Sequence, residues 1–157
     1  EAHEARRVYE ALVWNHPHPA EGTIRTGFGR HPHHRTMMTI MEEGRGREAV
    51  THYRTIEAYQ VVWQPSDGRP RKRQAALAEC ILETGRTHQI RVHMASIRHP
   101  VLGDLVYGPK KQPVKVEGGQ LLHAFRLGFV HPTTGERMRF EIPPEKRFSD
   151  WLARLSD

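Results

Sequence analysis

Short segments in which apolar and polar residues alternate recur along most of the chain, and this spacing is typical of β-strands. The most apolar of them, residues 75–82, predicts a buried strand that stops at the turn-forming pair Thr84 and Gly85. Further strands are predicted at residues 8–14, 23–25, 38–41, 49–59, 61–63, 120–130 and 137–142. Loops are predicted where Gly, Pro and basic residues cluster, at residues 27–35 and 110–119.

Two segments show the spacing of a helix with one apolar face. The apolar positions are Ile90, Met94 and Ile97 in the first segment, and Phe148, Leu152 and Leu155 in the second, residues 145–155. The first helix should end at His99, because the proline that follows disfavours helical geometry there. Residues 1–7, rich in Ala, Glu and Arg, predict the tail of another helix. The predicted fold class is therefore α+β (mixed α/β), a mainly antiparallel sheet with flanking helices.

The length of 157 residues suits a single domain, residues 1–157, with a hydrophobic core. Hydrophobic residues make up 37% and charged residues 27%, a balance that argues against intrinsic disorder. No apolar run approaches the length of a membrane span, and the charged start is unlike a signal peptide. The one cysteine, Cys80, falls in an apolar strand and should be a small core residue. These features predict a cytoplasmic monomer without a membrane partner.

The formal net charge is +6, and the basic residues are clustered. The clusters are residues 69–73, residues 110–115, and the group Arg25, Arg30 and Arg35. Such clusters favour a polyanionic partner, nucleic acid first. The alternative is that many soluble proteins are mildly basic without binding any polyanion.

The chain has 12 histidines, three of them within residues 31–34. These three do not predict a metal site, because zinc takes four ligands and neither a cysteine nor a regularly spaced histidine pair completes the set. His93 and His123 fall in predicted buried elements. A histidine in that setting usually satisfies a local hydrogen-bond partner, so both are expected to be structural.

Arg91 lies at the border of the apolar face of the first predicted helix, and Arg86 and His88 lie at the start of that helix. A buried arginine needs an anion, because an unpaired buried charge is costly. The anion would be a carboxylate elsewhere in the fold or a phosphate on a ligand. The alternative is an arginine that extends to solvent beside a polar helix cap, and spacing alone does not separate the two.

Two motifs around this helix resemble the RluA-type RNA pseudouridine synthases. Residues 82–93, L-E-T-G-R-T-H-Q-I-R-V-H, match that family's L-x-T-G-R-T-H-Q-I-R-V-H, and residues 99–108 match its H-P-x-x-G-D-x-x-Y-G. Further matches at residues 7–13, 29–35, 49–53 and 121–127 extend the resemblance over nearly the whole chain, in order. The resemblance is closest to members that modify large-subunit ribosomal RNA. It implies a pseudouridine synthase-like fold and isomerisation of uridine to pseudouridine in RNA, without a cofactor.

The resemblance also implies site residues. Tyr9 stands where the family has the tyrosine beside the target base. Its ring suits stacking on an extruded base, and the alternative is that it only packs within its sheet, as strand tyrosines commonly do. Arg91 is the expected partner of the catalytic carboxylate. The expected substrate or RNA contacts are Ile90 at the base pocket, Arg86 and His88 at its rim, and Arg30 and Arg35 in a phosphate-binding loop.

The family's catalytic aspartate lies in an H-R-L-D segment, which does not occur in this sequence. In the family that segment precedes the tyrosine motif, so we expect the C-terminal portion of a synthase catalytic domain, incomplete at its N-terminus. Arg91 is then expected to lack its carboxylate partner, and Asp104, in a Gly-Asp context typical of a turn, is not expected to replace it. The chain alone should bind RNA without isomerising uridine. The alternative function is a non-catalytic RNA-binding module.

Overall fold

The computed structural model describes residues 6–130 and 132–155. Within them the chain forms seven strands and two helices. Their bounds are β1 Arg6–Trp14, β2 Glu21–Arg30, β3 Met38–Met41, β4 Arg47–Trp63, β5 Arg71–Leu82, α1 Gln89–Ser96, β6 Leu122–Val130, β7 Arg137–Glu141 and α2 Lys146–Arg154. The strands form one antiparallel sheet in the order β3-β2-β4-β5-β1-β6-β7. The predicted α+β fold class with a mainly antiparallel sheet is confirmed.

Several strands are longer than the hydrophobic pattern predicted. β2 includes residues 27–30, which had been predicted as loop. Its glycines serve close packing rather than a turn, since a Cβ added at Gly27 would lie 2.1 Å from the carbonyl oxygen of Arg45. The predicted strands at residues 49–59 and 61–63 are one strand, β4. Its pairing with β5 shifts register between Thr55 and Glu57, as at a β-bulge.

The predicted helix tail at residues 1–7 is wrong where the structure describes it, because Arg6 and Arg7 belong to β1; residues 1–5 lie outside the described residues. Arg7 lies opposite Leu82 of β5 and opposite Leu127 of β6. Hydrogen bonding to two neighbouring strands outweighs a helix preference that amounts to fractions of a kcal/mol per residue.

The two faces of the sheet have separate cores. On one face α1 packs through Ile90 and Met94 onto small side chains such as Ala76 and Ala78, which let the helix approach closely. Cys80 lies in this core, fully buried, as predicted.

On the other face α2 packs through Phe148 and Trp151 onto Leu12, Trp14 and Leu77. Alternation along β1 and β5 sends neighbouring side chains to opposite faces, so each helix covers one face. No helix in the described part of the chain combines the length and apolar character needed to cross a bilayer.

Candidate active site

The candidate site is built at the start of α1, where the chain leaves β5. The side-chain oxygen of Gln89 accepts hydrogen bonds from the Thr84 hydroxyl at 2.8 Å and the Arg86 backbone N–H at 3.0 Å. Its amide nitrogen donates to the Val50 carbonyl at 3.0 Å and to the Thr51 hydroxyl at 2.9 Å. Because all four hydrogen-bonding positions of this buried amide are used, the turn before α1 is fixed to β4.

Arg91 and Asp104 form a buried bidentate ion pair. Nε of Arg91 donates to Oδ2 of Asp104 at 2.8 Å, and Nη2 donates to Oδ1 at 3.0 Å. Asp104 is fully buried and Arg91 is 8% exposed. The expectation that Arg91 lacks a partner in this chain, and that Asp104 does not supply one, is therefore wrong. The turn itself is the reason: Gly103 adopts a left-handed conformation, φ 81°, immediately before the inward-pointing carboxylate.

The carboxylate of Asp104 is held in its charged form. Burial by itself would raise the pKa of Asp104, but hydrogen bonds from the Arg91 side chain and from the backbone N–H groups of Tyr107 and Val106 lower it below its usual value. Those backbone groups donate to Oδ1 at 2.9 and 3.0 Å. With both oxygens engaged, Asp104 acts as an orienting partner for Arg91.

Tyr107 joins the two motifs. Its hydroxyl lies 2.7 Å from Nδ1 of His88 at the start of α1 and accepts a hydrogen bond of 2.9 Å from the backbone N–H of Met38 in β3. The guanidinium of Arg91 lies 5.0 Å from the centre of the Tyr107 ring, a cation–π distance. The side chain of Tyr107 therefore contacts the start of α1, the ion pair and strand β3.

His88 is half-buried and has a left-handed backbone conformation, φ 58° and ψ 20°. Left-handed geometry is uncommon outside glycine, although histidine tolerates it better than most residues. Burial, and then the charge of Arg91, lower the pKa of His88, while Asp104 acts in the opposite direction. His88 is therefore neutral at pH 7.

Tyr9 and Ile90 belong to the same core region beneath α1. Tyr9 is half-buried and packs against the cluster that contains Ile90 and Met94. Ile90 is only 3% exposed, so its side chain supports the site from below and offers little surface of its own. The structure thus places Tyr9 against the core to which α1, the helix of Arg91, contributes Ile90 and Met94.

The remaining predicted arginines lie around this centre and are not in it. Arg86 donates from Nε to the carbonyl of Glu48 at 2.9 Å and is partly exposed. Arg30 and Arg35 are exposed, and Nη1 of Arg30 donates to the Arg35 carbonyl at 3.0 Å. Arg30 pairs in register with Met38, whose N–H reaches Tyr107. The Arg30–Arg35 loop therefore adjoins the site.

Two buried histidines outside the site, His93 and His123, have local partners. His93 is fully buried, with Nδ1 2.7 Å from the Thr51 hydroxyl and Nε2 2.8 Å from the Thr26 hydroxyl. His123 bonds the carbonyl of Ile142 at 2.7 Å. Both contacts agree with the structural roles that the sequence predicted.

Nothing in the described ranges groups three or more potential metal ligands. The ring of His31 instead accepts backbone hydrogen bonds of 3.1 Å from His33 and His34. An open groove of about 400 Å³ lies between β2, β4 and β5, lined by residues including Thr23, His52 and Glu79. It contains none of the predicted site residues.

Sequence reasoning missed Gln89 and Tyr107 and set Asp104 aside. The available signal was the spacing of Asp104 and Tyr107. An aspartate whose side chain bonds backbone groups two and three residues later is a known turn arrangement. Once Oδ1 accepts from those backbone groups, Oδ2 and the unused lone pairs of Oδ1 can still bond a cation. The sequence does not show which cation reaches them.

Comparison with known proteins gives consistent matches. A family model described as RNA pseudouridylate synthase matches residues 1–96. Ribosomal large subunit pseudouridine synthase D of Neisseria meningitidis is 42% identical over 147 residues, covering 88% of this chain and 35% of that protein. The protein of the same name from Zymomonas mobilis is 41% identical over 164 residues, covering 99% and 47%. The chain thus spans less than half the length of these relatives.

Two solved human structures share the fold. RNA pseudouridylate synthase domain containing 1 has a TM-score of 0.69 and 29% identity, covering 88% of this chain and 54% of that one. RNA pseudouridylate synthase domain containing 4 has a TM-score of 0.67, covering 98% and 64%, and at 20% identity it supports the fold alone.

Proposed function

The chain belongs to the RNA pseudouridylate synthase family, and from this premise we propose that it forms part of an enzyme that isomerises uridine to pseudouridine in RNA. The family resemblance predicted from the motifs is confirmed. Since two relatives are named ribosomal large subunit pseudouridine synthase D, the proposed substrate is large-subunit ribosomal RNA. The net charge of +6 supports a polyanionic substrate. We further propose a monomer that acts in the cytoplasm.

The observation that carries the proposal is that Tyr9 packs on the core cluster beneath the helix that holds Arg91 in its ion pair. Tyr9 packs against the cluster that includes Ile90, and Arg91 is the next residue of the same helix. Base-modifying enzymes extrude their target base and hold it against aromatic side chains. The half-buried ring of Tyr9 suits such a base, and the fixed cation of Arg91 suits a catalytic carboxylate.

We assign Arg91 a second anionic partner besides Asp104. Two of its five N–H groups bond Asp104, and the structure gives the others no acceptor among the described residues. Pairing with arginine keeps a carboxylate ionised and oriented. We assign these free N–H groups to the catalytic aspartate implied by the resemblance. Asp104 does not take that role itself, because it is fully buried and both of its oxygens are engaged.

The proposed reaction breaks the bond from the sugar C1′ to N1 of uracil, turns the base and joins C1′ to C5; the C5 hydrogen leaves as a proton and N1 takes up a proton. This sequence of steps needs the catalytic carboxylate. Because no H-R-L-D segment occurs in the sequence, we expect the 157-residue chain alone to bind RNA and to leave uridine unchanged.

Tritium release from RNA labelled at C5 of uridine tests the proposal. The assay compares the 157-residue chain with a polypeptide that carries an H-R-L-D segment ahead of the same residues. Only the second should release tritium. In it, Arg91→Lys, which keeps the charge but loses the planar fork, should lower the rate about 100-fold through misplacement of the carboxylate and change RNA affinity far less. Lys146→Ala on the exposed face of α2 is the matched control.

Release by the 157-residue chain alone would contradict the assigned need for the aspartate. RNA affinity should also fall steeply with salt, because phosphate contacts release counterions, and a flat response would count against RNA as the substrate. Salt-sensitive RNA binding with no release from either polypeptide would favour the non-catalytic RNA-binding module instead.

A further inference from the structure

The hydroxyl of Tyr107 has an unusual pair of partners. One is the backbone N–H of Met38, at 2.9 Å, which can only donate. The other is Nδ1 of His88, at 2.7 Å, which donates or accepts according to the tautomer. A phenol carries one proton and needs one acceptor for it. Among the described residues Nδ1 is the acceptor within reach, so the hydroxyl proton belongs in the bond to His88.

This direction determines the tautomer of His88. If Nδ1 accepts the proton of Tyr107, the ring of a neutral His88 must carry its own proton on Nε2. No hydrogen bond of Nε2 is found within the described ranges, and the ring is half-buried. His88 therefore presents Nε2–H as an uncharged, oriented donor for which the described residues supply no acceptor.

We propose that Tyr107 is a positioning residue that presents Nε2–H of His88 to an acceptor oxygen of the bound RNA. The proposal rests on RNA being the substrate, and it deepens that assignment by giving the second motif a part in recognition. The backbone supports it: a non-glycine residue held at φ 58° carries a conformational cost, and residues held at such a cost cluster at active and binding sites.

The charges that face His88 favour the neutral ring. Burial and the nearby charge of Arg91 lower the pKa of His88, and the carboxylate of Asp104 opposes them. Arg91 and Asp104 are themselves joined in the ion pair, and Arg91 lies over the ring of Tyr107. A neutral donor at this place would add a directional hydrogen bond to a site in which the arginines supply the positive charge.

The first test measures the pKa of His88 by NMR in protein without RNA, with His88→Asn identifying the resonance. Tyr107→Phe removes the hydroxyl and keeps the ring beneath Arg91. A donor to Nδ1 stabilises only the neutral ring, so its loss should raise the pKa of His88 by about 0.5–1. Tyr59→Phe, which removes a hydroxyl bonded to Glu57 in the other core, should leave that pKa unchanged. An unchanged or lower pKa in Tyr107→Phe would overturn the assigned direction of the bond.

The second test is a double-variant cycle on affinity for a uridine-containing RNA stem-loop. Tyr107→Phe and His88→Asn, the latter tolerant of left-handed backbone, should each weaken binding about fivefold, the value of one hydrogen bond. The double variant should bind no worse than either single variant, because both remove one contact. Additive losses, or full affinity in Tyr107→Phe, would refute the positioning role. Thermal unfolding of each variant confirms that binding is measured on folded protein.

Chemically altered RNA separates the two sources of the acceptor. If it is a uracil carbonyl, the thiouridine that lacks that oxygen, 2-thiouridine for O2 or 4-thiouridine for O4, should abolish the difference between wild type and His88→Asn. If it is a phosphate oxygen, methylphosphonate linkages beside the uridine should abolish it. A difference that survives both changes would show that His88 does not bond an RNA oxygen of either kind.

The two tests also separate this inference from the proposed function. A wild-type chain that binds no RNA would refute RNA as the substrate. The pKa measurement without RNA would still decide whether Tyr107 positions the ring of His88. A chain that binds RNA normally but fails the pKa test would leave the proposed function standing and remove only the role of Tyr107.

Discussion

Arg91 and His93 lie two residues apart on α1, and both are buried polar side chains, yet the protein satisfies them in opposite ways. Arg91 is charged and meets a carboxylate, Asp104, in the loop that follows the helix. His93 meets the hydroxyls of Thr26 and Thr51 on two strands. One side chain ties the helix to a loop and the other ties it to the sheet.

The difference separates function from architecture. Burial lowers the pKa of His93 to about 4, so the ring is neutral at pH 7 and two hydroxyls are enough to satisfy it. Arg91 cannot become neutral, so burying it requires an anion. A buried permanent charge with N–H groups to spare is suited to hold a second anion, whereas a fully bonded neutral ring has nothing left to offer a substrate.

Breaking the ion pair should give the largest effect on stability. Arg91→Ala leaves the Asp104 carboxylate buried without its cation, which should lower the free energy of unfolding by about 3–5 kcal/mol. The double variant Arg91→Met, Asp104→Leu should lose much less than the sum of the single variants, because neither charge is left unpaired. Urea denaturation measures both.

Lys146→Ala is the control for that comparison. Lys146 pairs with Asp150 at 2.7 Å on the exposed face of α2, where such pairs contribute about 0.3–0.5 kcal/mol. A loss in Arg91→Ala as small as the loss in Lys146→Ala would show that the buried pair is not formed in solution.

The pH dependence of stability should distinguish the two side chains next. Between pH 6.5 and about 4 the unfolded chain protonates His93 and the native protein does not. Stability from this residue is therefore complete above pH 6.5 and falls, by up to about 3 kcal/mol, as pH is lowered to about 4. Asp104, whose native pKa is lowered from 3.8, should lose its contribution only below that pH.

Urea unfolding of wild type and His93→Gln at pH 7 and pH 4.5 measures this effect. The glutamine variant should lose most of the difference between the two pH values; the part that remains has the sign expected for His88, whose native pKa is also lowered. An equal drop in both proteins would assign the pH dependence to other groups.

Among the buried side chains, the smallest effect should come from one hydroxyl. Thr51→Val keeps the shape of this fully buried side chain but leaves Nδ1 of His93 and one N–H of Gln89 without their partner. We expect a loss of about 1–3 kcal/mol in the free energy of unfolding, the cost of unsatisfied buried groups. Thr51→Ser, which keeps the hydroxyl, should recover part of it. Equal stability of Thr51→Val and wild type would mean that water replaces the hydroxyl.

The motif residues show how far sequence reasoning reached. Spacing placed Ile90 and Met94 on the buried face of α1, and the motifs brought Arg91 and Tyr9 into one predicted site. The expected absence of a partner for Arg91 was wrong because pairing depends on where a loop 13 residues later returns. The role of Tyr107 was invisible for the same reason, since its contacts join three elements that are distant along the chain.

The sequence by itself determined the fold class, the family and some of the buried positions of both helices, because alternation, helical spacing and contiguous motifs are local properties of the chain. Only the tertiary structure decided that Asp104 neutralises Arg91, that Tyr107 reaches His88, and that His93 is held by two threonines. Those contacts depend on strand register and loop path, which place side chains within about 3 Å of one another, and no local pattern specifies distances on that scale.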